Sequence, residues 1–235
     1  MKKRKSRHHE AHQSGRVGWL RTAVLGSSDA IVSTSSLMIG VSASSASREA
    51  ILIAGVAGLA AGAMSMAVGE YVSVSAQSDA ERADIARETE ELATEPQAEL
   101  RELALIYEKR GLAPELAKQV AEQLSDKDKL GAHLRDELGI DHAMLARPLQ
   151  AAGISALSFA LFALVPIGAL LVAPAELRSP VIAGVSLLSL ASLGALGGYL
   201  GGAAPGPAAL RVTLGGGLAM LVTAGIGRLF GVVTG

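Results

Sequence analysis

The chain has 235 residues, of which half are hydrophobic, 3% are aromatic and 18% are charged. A mean hydropathy of +0.38 together with many small residues is typical of packed membrane helices rather than of a soluble domain. The absence of cysteine excludes disulfides and thiolate metal sites, so a metal ion would need carboxylate, imidazole, thioether or backbone ligands.

Charge is segregated along the chain. Residues 77–147 hold 17 of the 22 acidic and 10 of the 21 basic residues, a net charge of −7, while the rest of the chain carries +6. This pattern predicts a membrane protein with one acidic, water-soluble insert, and no nucleic-acid partner is expected.

The first 16 residues form a basic tail. We interpret it as cytoplasmic and retained, because the apolar run that follows is too long and too polar for a signal peptide and has no clear cleavage site. The tail histidines are either part of a flexible polar segment or additional metal contacts; they are His8, His9 and His12.

Five apolar stretches approach or exceed the roughly 20 residues that are needed to cross a bilayer. They are the segments 17–43, 50–75, 149–172, 181–201 and 208–233. Seven basic residues lie at or before Arg21, and the positive-inside rule places them and the acidic insert in the cytoplasm, with the C-terminus outside.

We therefore predict an all-α membrane protein with five transmembrane helices and a cytoplasmic helical domain inserted between the second and third. The predicted divisions are a tail 1–16, transmembrane helices one and two in 17–76, the insert 77–147, and transmembrane helices three to five in 148–235.

Small residues recur at helical spacing in two of these spans. Ala54, Gly58 and Gly62 lie on one face of the second span, and the fourth carries several glycines from Gly194 to Gly202. Such patterns let helix backbones approach closely, either inside one subunit or between subunits.

Residues that begin and end helices divide the insert into four predicted helices. The first begins at Ser78 or Asp79, and the four cover 78–94, 96–111, 113–125 and 126–140.

Carboxylates are stacked on these predicted helices at spacings of three or four residues, which place them on one face. On the first helix one acidic stripe comprises Glu81, Asp84, Glu88 and Glu91; on the second, Glu99 and Glu102 share a face, and on the last, His133 and Glu137 do so. Stacked like charges repel by a few tenths of a kcal/mol per pair, and a divalent cation would reverse that cost. The insert is thus either a site for Fe²⁺, Mn²⁺ or Zn²⁺ or a solvated acidic face with interspersed arginines.

Two polar positions interrupt the first two spans. Asp29 lies among serines, and an ionised carboxylate in hydrocarbon costs roughly 2.5–3.5 kcal/mol, so such residues usually face a cavity or pathway. Met66 precedes Glu70 by four residues, which puts a thioether and a carboxylate on one helix face.

The alternatives are purely structural roles: Met66 fills the core, and Glu70 extends its carboxylate to the membrane surface. A desolvated carboxylate has a raised pKa and takes up a proton when a cation leaves. Proton antiport is therefore a hypothesis for Asp29.

The stretches "GSSDAIVSTSSLMIGVSAS" and "AAGAMSMAVGEYVSVSAQSDAERAD", with the carboxylate helices after them, resemble the vacuolar iron transporter family over nearly the whole chain. The resemblance implies five transmembrane helices, a cytoplasmic metal-binding domain, a dimeric pore, and exchange of cytosolic Fe²⁺ or Mn²⁺ for protons. The Ala/Gly-rich composition suggests a bacterial-type member.

The resemblance also implies roles for individual residues. Asp29 and Met66 match the pore carboxylate and methionine, and the metal-binding glutamates match Glu88, Glu91, Glu99, Glu102 and Glu137. Two positions depart from the plant pattern: His133 stands where plant members have Met, and Gly58 where they have a glutamate, which leaves proton transfer to Asp29 and Glu70.

We expect a homodimeric transporter, not an enzyme, that moves Fe²⁺ or Mn²⁺ out of the cytosol without a prosthetic group. It would lie in the plasma membrane of a bacterium or the vacuolar membrane of a eukaryote. The alternative is a membrane-anchored metal sensor or di-iron carboxylate oxidase. Ferritin-like sites use Glu-x-x-His pairs, which the insert lacks, so transport is favoured.

Overall fold

The computed structural model of the chain describes residues 17–140 and 146–234. These residues contain no strand, in agreement with the predicted all-α class. The helices are α1 Val17–Ala43, α2 Arg48–Thr94, α3 Pro96–Lys109, α4 Pro114–Asp136, α5 Pro148–Val172, α6 Arg178–Leu200 and α7 Pro205–Thr234. The chain divides into two compact units, of which one comprises Gly69–Ala151 and the other the residues before and after it.

Four helices have the length and hydropathy of membrane spans, namely α2, α5, α7, and α6 with the short 3₁₀ turn before it. The first predicted span corresponds to α1, whose 27 residues extend about 40 Å at 1.5 Å per residue. Asp29 and the serines around it lower its hydropathy. The role of α1 as a fifth span therefore stays a prediction.

The first unit is held together by close packing of α1, α6 and α7. Ile31 and Met38 of α1, Leu190 of α6 and Met220 of α7 share one buried cluster. Glycines bring the backbones together, because a methyl group at Gly227 of α7 would overlap the carbonyl oxygen of Gly40 in α1.

The glycines of the second and fourth spans pack inside one chain. A methyl group at Gly62 would overlap the ring of Phe159 in α5, and one at Gly194 would lie 2.8 Å from the Cα atom of Ala209. The sequence pattern left open whether these small residues pack inside one subunit or between subunits. For Gly62 and Gly194 the close contacts lie inside one subunit.

The second unit contains an α3–α4 pair around buried Leu103, Tyr107, Ala117 and Ala121. The predicted helix breaks before Pro96 and between residues 109 and 114 are confirmed. Proline stands in the first turn of both α3 and α4, where its missing N–H costs nothing.

Two details differ from the predicted boundaries. No helix begins at Ser78, because α2 continues from Arg48 to Thr94 through a stretch without glycine or proline after Gly69. The predicted break between the last two helices is present, but it lies at Asp128, whose angles φ −161° and ψ 87° are non-helical, so α4 consists of two helices that meet at a kink. Asp128 Oδ1 accepts a hydrogen bond of 3.0 Å from the Gly131 N–H, so Asp128 caps the second half of α4.

We expect Gly227→Ala to destabilise the first unit by about 1–3 kcal/mol, the usual cost of overpacking, because the added methyl forces α7 away from α1. Gly225→Ala is the matched control, since a methyl group there meets no atom within 4 Å. Thermal unfolding in detergent measures both. Equal melting temperatures for the two variants would contradict the described packing.

Candidate metal centre

Four side chains from three helices converge in the second unit. Glu88 lies near the end of α2, Glu99 in the first turn of α3, and His133 and Glu137 at the end of α4. One ligand atom from each lies within 4.8 Å of the others. The break at Pro96 allows α2 and α3 to bring their glutamates to the same imidazole.

The imidazole Nδ1 is the centre of this cluster. It lies 2.9 Å from Glu88 Oε1, 3.0 Å from Glu137 Oε2 and 3.9 Å from Glu99 Oε2. A single ring N–H cannot serve all of these oxygens. Glu88 Oε1 is buried and has no aligned hydrogen-bond donor within residues 17–140 and 146–234, so the cluster has more acceptors than its own donors satisfy.

Burial makes this excess of negative charge costly. His133 is fully buried and Glu88 is 2% exposed, and burial, followed by the charge of Glu137, raises the pKa of Glu88 to about 7. Burial and the neighbouring charge of Glu102 also raise the pKa of Glu99. A bound divalent cation would offset both desolvation and repulsion.

The remaining predicted ligands lie outside this four-residue cluster. Glu91 and Glu102 are exposed, although their charges contribute to the raised pKa of Glu99. The structure therefore brings together four of the six predicted metal residues and leaves these two at the edge.

A second network fixes the end of α4. Asp136 accepts hydrogen bonds from Tyr107 Oη at 2.8 Å, from Arg110 Nη1 at 2.6 Å and from Arg135 Nη2 at 2.6 Å. Burial opposes ionisation of Asp136, but these hydrogen bonds prevail and lower its pKa to about 2. The network ties α3 to α4 next to His133 and Glu137, and the sequence analysis missed it.

The donor set determines which cations fit. Three carboxylates and one imidazole suit borderline to hard divalent ions such as Fe²⁺, Mn²⁺ and Zn²⁺. Their ligand atoms are close enough to surround one ion.

A cavity of about 220 Å³ lies in the first unit, and the predicted pore residues Asp29 and Met66 both line it. The other lining residues come from α1, α2 and α5: Ser33, Thr34, Leu37, Gly58, Gly62, Ser65 and Phe159. Asp29 is exposed to this space. Glu70, also predicted for the pathway, lies on α2 four residues after Met66 and does not line the cavity.

Sequence reasoning missed Phe159 and Ser65 as cavity residues, since an isolated aromatic or serine in an apolar span carries no distinguishing signal. The tail histidines His8, His9 and His12 lie outside the described residues, as does His142.

Apolar helices of membrane-spanning length and a largely buried carboxylate–imidazole cluster define the class: a polytopic helical membrane protein with a candidate metal centre. The model of the VIT family matches residues 20–228, and the chain belongs to this family.

Curated relatives match over most of the chain. A vacuolar iron transporter of Acanthamoeba castellanii is 47% identical over 225 residues, which cover 94% of this chain and 82% of the relative. Vacuolar iron transporter homolog 1 of Oryza sativa is 39% identical, covering 92% of this chain and 75% of the relative. Homolog 3 of Arabidopsis thaliana is 36% identical, covering 93% and 86%. The chain is thus a membrane transporter rather than an enzyme.

The pKa of Glu88 predicts how metal binding depends on pH. Because this pKa is raised from 4.5 to about 7, the folded metal-free protein holds a proton more tightly than the unfolded chain. The resulting stabilisation is fully present below 4.5 and is lost as pH rises through about 7. Metal must displace that proton, so affinity should rise by about tenfold per pH unit below pH 7. Calorimetric Mn²⁺ titrations of the detergent-solubilised chain measure this slope, and a pH-independent affinity would contradict the prediction.

Glu88→Gln should affect metal binding and metal-free stability in opposite directions. The affinity for Mn²⁺ should fall by at least about tenfold, the loss typical of even an outer-shell partner. The melting temperature without metal should rise, because a repelling buried charge is removed. Glu90→Gln, an exposed neighbour on α2, is the control and should change neither quantity. A fall in both quantities for Glu88→Gln would indicate general damage instead.

Proposed function

We propose that the chain transports divalent metal, Fe²⁺ foremost and also Mn²⁺, out of the cytosol in exchange for protons. The observation that carries this proposal is the cluster of buried Glu88, Glu99 and His133 with the more exposed Glu137 in a member of the VIT family. The relatives' names as vacuolar iron transporters support iron as the cargo, and the ligand set is equally suited to Mn²⁺.

In this proposal α1 is a fifth membrane helix, and the unit Gly69–Ala151 lies in the cytoplasm. The basic residues at the start of the chain support this orientation through the positive-inside rule. The cytoplasmic unit gathers the cation, with Glu91 and Glu102 adding negative charge at the edge of the cluster.

Asp29 and Met66 then carry the cation through the membrane. Their common cavity supplies a carboxylate, a thioether and hydroxyl groups, a mixture that coordinates Fe²⁺ and Mn²⁺ without holding either tightly. When the cation leaves, Asp29 takes up a proton, because a desolvated carboxylate favours its neutral form. Glu70 provides a second carboxylate further along α2.

The pore is completed by a second copy of the chain. Asp29 is exposed within a single chain, as are the neighbouring apolar residues Leu37 at 42% and Met64 at 70%. A carboxylate at membrane depth normally faces protein or water rather than lipid, which supports a homodimer with Asp29 at the shared interface.

Proteoliposomes loaded at acidic pH and given external Fe²⁺ test the transport proposal. Asp29→Asn should reduce uptake by at least about tenfold, since it removes the charge that Asp29 is proposed to supply within the membrane. Glu49→Gln, an exposed carboxylate at the start of α2, is the matched control and should transport normally. Uptake by Asp29→Asn at the wild-type rate would refute the pathway assignment.

The same vesicles separate antiport from uniport. Collapse of the pH gradient with a proton ionophore should abolish accumulation against the Fe²⁺ gradient. Unchanged accumulation would refute proton coupling while leaving metal transport intact.

A further inference from the structure

A pocket of about 370 Å³ in the second unit reaches His133 but none of the three carboxylates of the cluster. The polar part of its lining comes mainly from one face of α4: Glu122, Ser125, Asp126, Lys129 and His133. Leu92 of α2 and Leu100 of α3 contribute apolar walls. The pocket and the carboxylate cluster therefore have only His133 in common.

Two buried polar atoms of residues that line this pocket have no hydrogen-bond partner among the residues that the structure describes. They are Nε2 of His133 and Oγ of Ser125, and the His133 side chain is 0% exposed. Buried polar atoms are nearly always satisfied by protein, water or a ligand. Two residues of the same pocket lining thus carry polar atoms that a polar species in the pocket could satisfy.

The environment of His133 indicates what that species is. Nδ1 faces the carboxylates of Glu88 and Glu137, which favour a proton at Nδ1, and the lone pair of the neutral ring then lies on Nε2. A metal-ligating histidine characteristically donates its other ring N–H to a carboxylate in this way. Nε2, which has no partner among the described residues, is then the ring nitrogen left for a cation in the pocket that His133 lines.

The size and charge of the pocket fit a cation that still carries water. About six water molecules at about 30 Å³ each occupy about 180 Å³, so a hydrated ion fits into the 370 Å³ pocket. Glu122 and Asp126 can accept hydrogen bonds from that water. In the carboxylate cluster the ligand atoms lie within 4.8 Å of one another. This spacing suits an ion that has lost its hydration shell.

We propose that this pocket is an antechamber that captures a hydrated divalent cation, with Nε2 of His133 as its first protein ligand, before the cation enters the carboxylate cluster. The inference rests on the proposed function and adds the entry route to the same centre. A neutral imidazole offers one lone pair at a time, so the antechamber and the cluster use His133 in sequence and not together.

Lys129 is a positive charge in the same pocket, so its effect on cation entry should be opposite to that of the acidic residues. Its ammonium group lines the same pocket as Glu122 and Asp126 and opposes cation entry. Neutralising the acidic residues should therefore slow entry, whereas neutralising the lysine should accelerate it.

Stopped-flow absorption of Co²⁺ loading into the detergent-solubilised full chain tests this. The double variant Glu122→Gln/Asp126→Asn should load about 3- to 10-fold more slowly, and Lys129→Gln about 2- to 5-fold faster, with both effects shrinking at high ionic strength. The amount of Co²⁺ bound at saturation should stay the same. Glu115→Gln and Lys127→Gln are matched controls, because neither residue lines the pocket, and both should load at the wild-type rate.

Unchanged loading rates in the pocket variants would overturn the proposed antechamber. Slower loading by Lys129→Gln would overturn it too, because that result would indicate a structural disturbance and not a charge effect. Failure of the proposed function looks different: Glu88→Gln would then bind Co²⁺ as tightly as the wild type, whatever the pocket variants do.

Discussion

The candidate metal centre of the second unit depends on one constraint, the crowding of negative charge around one imidazole nitrogen. Glu88, Glu99 and Glu137 approach the same Nδ1, and burial of carboxylates with too few donors is unfavourable. The protein holds them there through features that lie outside the cluster. Pro96 breaks the helix between the first two glutamates, and Asp136 fastens α3 to α4 beside the third. Such an arrangement has unfavourable electrostatic free energy, which a divalent cation at the proposed site would offset.

The first unit must also accommodate a carboxylate, that of Asp29, among apolar helices. Asp29 lines a cavity with hydroxyl groups and a thioether, and glycines elsewhere in the unit allow α1, α6 and α7 to pack closely. Gly58 lines the cavity too, and a Cβ atom there would lie 2.9 Å from Leu37 Cδ2, so a larger side chain at this position would require Leu37 to move. Both units thus pair carboxylates with a softer ligand, Met66 in one and His133 in the other, which favours transition-metal ions over Mg²⁺ and Ca²⁺.

Much of the helical layout follows from the sequence for local reasons. Proline and glycine determine where α3 and α4 begin and α3 ends, and spacings of three and four residues place paired carboxylates on common faces. Local rules were less successful at Ser78, where a suitable cap residue did not start a helix because nothing before it ended α2. They did place a helix boundary close to Asp128, where the two halves of α4 meet at a kink.

The sequence by itself determined the class of protein, the acidic segment and the spacing of the carboxylates within each helix. It also showed that the Asp29 carboxylate lies in an apolar span, where its charge is unfavourable. Composition, hydropathy and helical periodicity are local properties, so they can be read without the tertiary structure. Only the tertiary structure decided which residues share a site. Glu88, Glu99 and His133 come from three helices, and periodicity within one helix says nothing about distances between helices. The same reason explains why Glu91 and Glu102 remain outside the cluster, why Phe159 meets Gly62, and why the two nitrogens of His133 face different surroundings.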